Sequence, residues 1–424
     1  MTSSIEPTYI TPDQLCIGLY VRLELDWTAH PFTFNQFKIK NQAQIDTLRA
    51  LGLERIRVDM KRSDAQPLPP SKTPTPPVKP SEEELAAINA KRERVQRLAA
   101  HRAALNECER KFQGATRAVK SITRNIFARP EESMAEAREL VNGLVDSMLT
   151  DSDIAIHLMN DKMGGEEVYF HQLNVAVLAL MVGKQMKLGR EELTELGVGA
   201  MFHDIGKMEL PEKLLLKTDP LNGAEQDLMM RHVEYGLDIG KKLGLSPEAL
   251  AIVFQHHECV DGSGYPHGIK GEGILPLSKI ISIVNAYDNL CNRPNAKESL
   301  TPYEALSVMF AQYRSRFEAQ PLGIFIRCMG VFPPGSLVQL SNNALGLVMA
   351  VNSNKPLKPT VMIYDPSVPK HEAIILDLEE EPDLSIIKSI RPALLSNQVF
   401  AYLNPRKRMT YYSDAAPTKQ AATA

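Results

Sequence analysis

Seven prolines fall between residues 67 and 80: Pro67, Pro69, Pro70, Pro74, Pro76, Pro77 and Pro80. Each holds its own φ near about −65° and removes a backbone donor, so neither a regular helix nor a central strand can run through this stretch. The chain must fold as separate pieces joined by an extended, semi-rigid linker over 64–80. A small piece precedes it, residues 1–63, and a much larger one follows.

With 424 residues, two or three domains are expected. A net charge of −3 gives no field of one sign, so duplex nucleic acid is not a favoured partner. Cys16, Cys108, Cys259, Cys291 and Cys328 are scattered, odd in number and without CxxC spacing, the pattern of reduced thiols and not of a disulfide framework. The start, Met1–Pro7, lacks a basic region followed by an apolar core, so no signal peptide is expected. No apolar run is long enough for a membrane span. A cytoplasmic location is the expectation.

The N-terminal piece reads as a small mixed α/β domain. Ile17–Leu23 and Arg55–Val58 favour strands, and Ala43–Leu51 favours a short helix. Trp27 and His30 read as packing residues. After the linker, Ser81 followed by Glu82, Glu83 and Glu84 forms a capping box, and a long helix is expected over 81–130. Leu98, Leu105, Phe112, Val119 and Ile126 recur every seven residues, with Ile88 and Val95 on a neighbouring row. That spacing can form a coiled-coil seam and a homodimer through residues 81–127. Residues 131–330 read as successive helices, among them Glu191–Met201 and Ser299–Arg316. From 331 to 404 the texture changes to short β-rich runs, Ser336–Leu340, Leu345–Val351 and Thr360–Tyr364, separated by Asn- and Pro-containing turns. The tail, 405–424, is expected to be disordered. The fold class is mainly α: a helical core with a mixed N-terminal domain and a β-rich C-terminal appendage.

Two strings carry the chemistry: His203-Asp204-Ile205-Gly206-Lys207 and His256-His257-Glu258-Cys259-Val260-Asp261-Gly262-Ser263-Gly264-Tyr265-Pro266. Imidazole and carboxylate together suit first-row divalent metals, and such clusters serve metal-assisted phosphodiester hydrolysis. Glycines at 262, 264 and 268 permit positive φ and close backbone approach, and Pro266 stiffens the turn.

These motifs resemble those of the HD-GYP family, a branch of the HD phosphohydrolases that hydrolyses cyclic di-GMP. The resemblance covers roughly residues 150–330. It implies that His171, His203, Asp204, His232, His256 and His257 are metal ligands. It implies two or three divalent ions, Fe or Mn first among them. Glu167 lies one helical turn before His171, so both could reach one ion. The resemblance places Lys207 on the reacting phosphate, with Asp204 and Lys207 as the catalytic pair, and Tyr265 and Arg293 as further substrate contacts. Arg293 stands slightly closer to position 285 than the family pattern has it. Signalling-protein partners are a further implication.

One position departs from the pattern. In Asn285-Ala286-Tyr287-Asp288 the family usually has Asp where this chain has Asn285. An amide oxygen can ligate a metal but carries no charge. Asp288, three residues on, shares roughly the same helix face. The expected activity is hydrolysis of cyclic di-GMP to linear pGpG, with GMP as the further product. The rival is a degenerate receptor that binds the nucleotide without cutting it.

Overall fold

The computed structural model describes residues 8–25, 30–32, 36–70, 82–150, 154–159, 167–295, 298–352, 355–366, 368, 370, 373–381, 384–404 and 409–415. Trp27 lies outside them. The chain divides into two compact units, Met1–Ala103 and Ala104–Ala424.

In the first unit, β1 (Thr8–Ile10), β2 (Tyr20–Arg22), β3 (Gln36–Lys38) and β4 (Ile56–Val58) form an antiparallel sheet in the order β1-β4-β2-β3, accompanied by α1 (Gln42–Ala50). Alternation in β4 buries Ile56 and Val58 with Leu19, Val21, Ile45 and Leu48. The Asn41 side chain accepts from the Gln44 N–H and caps α1, satisfying an otherwise orphan donor. The expected linker begins late: Asp64, Gln66 and Leu68 hydrogen-bond to Gly18, Cys16 and Gln14, so its first residues belong to this unit.

Helix α2 runs from Glu82 to Asn125. Its later apolar row is not a seam. Phe112, Val119 and Ile126 are buried in the chain's own helical core, where Phe112 stacks on Phe170 at 5.7 Å and meets Tyr412 edge-on at 6.0 Å. The side chains of Ile88, Val95, Leu98 and Leu105 lie outside the described residues.

The second unit continues through α3 (Pro130–Thr150), β5 (Ile154–Leu158), α4 (Glu167–Gln185), α5 (Arg190–Phe202), α6 (Glu212–Leu215), α7 (Gly223–Met230), α8 (His232–Lys242), α9 (Pro247–Gln255), α10 (Pro276–Cys291), α11 (Pro302–Ala311) and α12 (Ala319–Met329). Starts are written in the sequence. Ser246 caps α9 and Thr301 caps α11, each followed by Pro at the first helical position, where a missing N–H costs nothing. The buried centre of α4, Leu173 and Val175–Val182, packs against the buried face of α5.

The β-rich region comprises β6 (Leu337–Leu340), β7 (Leu345–Asn352), β8 (Thr360–Ile363), β9 (Ile374–Asp377), β10 (Ile386–Ile390), α13 (Asn397–Leu403) and β11 (Tyr411–Ala415). The sheet runs β10-β6-β7-β5-β11, with β8 on β7 and β9 on β8. Two strands lie where none was expected. β5 falls among the helices, and β11 falls in the tail expected to be disordered, paired antiparallel with β5 from Tyr411–Leu158 to Ala415–Ile154. Tyr411 and Tyr412 are buried, and that burial orders the segment. No helix among the described residues is long and apolar enough to cross a membrane.

Candidate metal centre

Helix α5 ends at His203, and Asp204 opens a tight turn over Ile205–Glu209. Gly206 lets α8 come close: a Cβ there would stand 1.9 Å from the His232 carbonyl and 2.3 Å from the Gly236 nitrogen. That approach sets His232, the first residue of α8, beside Asp204. His256 closes α9 and His257 follows it.

Asp204 sits at the centre. Its Oδ1 lies 3.3 Å from His232 Nε2 and 3.6 Å from His256 Nε2. Its Oδ2 lies 3.4 Å from His171 Nε2, 3.5 Å from His203 Nε2 and 2.5 Å from Lys207 Nζ. Two ligand groups share this carboxylate: Asp204, His232, His256 and His257 in one, and His171, His203 and Asp204 in the other, with ligand atoms within 4.8 Å of one another in each.

The outer ring nitrogens reveal what the inner ones offer. His203, His232 and His256 each place Nδ1 on a backbone carbonyl three residues earlier, at 2.6, 2.7 and 2.8 Å. His171 Nδ1 is 2.6 Å from Asp288 Oδ2. These partners assign the proton of a neutral ring to Nδ1 and leave the Nε2 lone pair facing inward. The lone pairs then face one another, with Nε2–Nε2 distances of 3.2 Å for His171–His203 and for His232–His256, and they also face a carboxylate. Asp204 Oδ1 is buried with no hydrogen-bond donor. Acceptors converging on acceptors, away from water, suit a cation between them. The residues fit divalent ions.

Electrostatics agree. Burial holds the imidazoles of His203, His256 and His257 below their ordinary pKa, most strongly for His203 and His257, so they stay neutral, as ligands must. Burial opposes charge on Asp204 too, but Lys207 and the surrounding imidazoles outweigh it and hold the carboxyl well below its usual range. His171 differs: burial disfavours its cation, yet Asp204 and Asp288 together raise it to about 9.

The glycine loop is pinned from behind. Buried Glu258 accepts from the His267 and Ile269 N–H groups at 2.8 and 2.9 Å. Gly262 and Gly268 take φ of +82° and +63°, and a Cβ at Gly264 would meet the His257 carbonyl at 2.4 Å. Tyr265 stacks on His257, centroids 4.4 Å apart.

The remaining expected residues are placed as follows. Glu167 is the first residue of α4, one turn before His171, with its side chain outside the described residues. Asn285 is buried and lines a cavity with His256 and His257, and its Oδ1 accepts from Asn289 Nδ2 at 2.7 Å. Among the described residues Arg293 is not part of that cavity's wall, whereas Arg316 is. Asp288 orients a ligand: besides His171 it accepts from Asn174 and Asn292 at 2.9 and 3.0 Å. Those amides also donate to the Met409 carbonyl, each at 2.8 Å. Asp288 could be singled out from its spacing to position 285. Arg316 carries no motif signal.

Comparison with known proteins matches three modules in order: a domain of unknown function (DUF3391) over 8–137, an HD domain over 144–320, and a KOW domain associated with HD domain over 337–398. A cyclic di-GMP phosphodiesterase of Pseudomonas aeruginosa is 28% identical over 367 residues, covering 83% of each chain. The cyclic di-GMP phosphodiesterase response regulator RpfG of Xanthomonas campestris is 30% identical over 39% of this chain and 43% of its own. A 3'3'-cGAMP-specific phosphodiesterase of Vibrio cholerae is 30% identical over 42% of this chain and 35% of its own. The chain thus carries an HD domain, with a DUF3391 module before it and a KOW module after it.

Proposed function

We propose that this protein is a metal-dependent phosphodiesterase that hydrolyses cyclic di-GMP to linear pGpG, with GMP as the further product. The observation that carries the reading is the sharing of Asp204, whose two oxygens face two separate sets of histidines. Names of the relatives support a cyclic dinucleotide as substrate.

His232, His256, His257 and Asp204 Oδ1 would hold one ion, and His171, His203 and Asp204 Oδ2 the other. Glu167 is the candidate for a third. Fe or Mn suits these donors. When bound, such ions polarise phosphate oxygens and make water acidic enough to attack phosphorus at neutral pH. The ribose 3'-oxygen leaves as the P–O bond breaks. Lys207, fixed on Asp204, would offset charge developing on the phosphoryl oxygens. Tyr265, held against His257, would bound the substrate's path.

A second reading, a receptor that binds the nucleotide without turnover, rests on Asn285 and Lys207. The neutral amide is turned to Asn289, and the ammonium occupies Asp204 Oδ2, both of which weaken one ion site. Turnover of cyclic di-GMP by the full chain, metal-stripped and then titrated with Mn, separates the two. Metal-dependent product formation, abolished in His203→Ala, is expected. Nucleotide binding with no product at saturating Mn would establish the receptor.

A further inference from the structure

Next to the His256–His257 pair lies a cavity of about 190 Å³. Sites for whole drug-sized ligands begin at roughly 300 Å³, so this one takes part of a ligand, on the scale of a single planar heterocycle. Its walls include the aromatic rings of Tyr265, Tyr313 and Phe317 and the amides of Asn285 and Asn289. One guanidinium completes them. The Cζ of Arg316 stands 4.8 Å from the centroid of the Tyr313 ring. Among the described residues its guanidinium makes no close ion pair or hydrogen bond, although its charge reaches the Asp261 carboxylate and helps to lower that carboxyl's pKa, and its backbone carbonyl is anchored by the Val260 N–H at 2.9 Å. A half-buried arginine held against a tyrosine ring suits recognition, because stacking limits its motion and leaves its fork able to meet a ligand.

We propose that Arg316 is a specificity-determining residue that reads the O6/N7 edge of one guanine of the bound cyclic dinucleotide. The inference rests on the cyclic dinucleotide reading above and adds the choice of base. Guanine presents two acceptors on this edge, matching the arginine fork. Adenine places a donor, N6, where guanine has O6, and so repels it. The aromatic lining suits a heterocycle's faces better than a solvated phosphate. Lys207, on Asp204 at the metal centre, already supplies a cation for the phosphoryl group.

The test measures binding of cyclic di-GMP and of cyclic di-AMP to the Mn-supplemented full chain, for wild type, Arg316→Ala and Arg316→Lys, with KM and kcat on cyclic di-GMP alongside. Wild type is expected to favour the guanine nucleotide. The alanine variant should lose on the order of ten- to a hundred-fold of that preference, with cyclic di-AMP binding little changed. The lysine variant should resemble alanine, since a point charge lacks the fork. KM should rise with kcat nearly constant, because a base contact is equally strong in the ground and transition states. Equal losses for both nucleotides, or full rescue by lysine, would mean that Arg316 serves as a charge for phosphate and overturn the base-reading role while leaving the phosphodiesterase reading intact. Failure of wild type to bind either nucleotide removes both readings together.

Discussion

The two halves of the metal centre are built from the same side chains to different completeness. On the Oδ1 side of Asp204 stand His232, His256 and His257, and the Lys207 charge is the last of the influences felt by the His257 ring. On the Oδ2 side, among the described residues, stand His171 and His203, and Lys207 lies at 2.5 Å. The family resemblance leads one to expect a carboxylate at position 285, where this chain has the amide of Asn285, on the cavity wall with His256 and His257. Asp288, the nearest acid on that helix, is committed to the His171 ring. The difference teaches that histidine count alone does not set ion affinity. Net charge among the candidate ligands would separate the two halves as well.

Loss of the shared residue should have the largest effect. Asp204→Ala removes a ligand from both halves at once and leaves Lys207 without its partner. Turnover should fall on the order of a thousand-fold or more, as expected when several kcal/mol of metal-derived stabilisation are lost, and metal analysis should find neither ion retained. One ion retained at full occupancy would show that the halves do not share this carboxylate.

Asn285→Asp sharpens the comparison with a smaller effect. A carboxylate at position 285, on the cavity wall with His256 and His257, should raise affinity for the ion nearest it by about ten-fold, comparable to what supporting interactions contribute at metal sites. Isothermal titration of metal-stripped protein should then show one of the two affinities raised and the other little changed. Two equal affinities already present in the wild type would erase the asymmetry.

How much of this could be seen in the sequence follows from how far apart the parts lie. His203-Asp204 and His256-His257 were legible because each pair is contiguous, and the glycine loop because positive φ requires its residues. Asp288 was visible as an acid near position 285 but not as the holder of His171. That role depends on α4 and α10 packing side by side, and on Asn174 and Asn292, far apart in the sequence, converging on Asp288 and the Met409 carbonyl. The strand at Tyr411–Ala415 was hidden for the same reason, since its partner is Ile154–Leu158. The heptad row of α2 misled at Phe112, Val119 and Ile126 because a row of apolar residues every seven positions fits a core-packed helix as well as a seam. Only the position of Phe170 and Tyr412 distinguishes them.

The last expected effect is one of pH, and it tests the two halves separately. His171 in metal-free protein titrates at about 9, because Asp204 and Asp288 outweigh the cost of burying its cation. An ion entering this half must displace that proton. Between pH 7 and 9 its apparent affinity should therefore rise by up to about ten-fold per unit, the limit for one competing proton. His256 and His257 lie below the ordinary imidazole range and are already neutral there, so affinity on the other side should change much less. The same linkage gives metal-free protein the opposite trend. A histidine whose folded pKa is raised contributes stability that is fully present below its unfolded value, about 6.5, and that is lost as pH rises through about 9. The melting temperature of stripped protein should fall from pH 7 to 9.5, and His171→Gln should flatten that fall. Equal pH slopes for the two ions, or a melting curve indifferent to His171, would mean that the extra acid at Asp288 does not distinguish the halves.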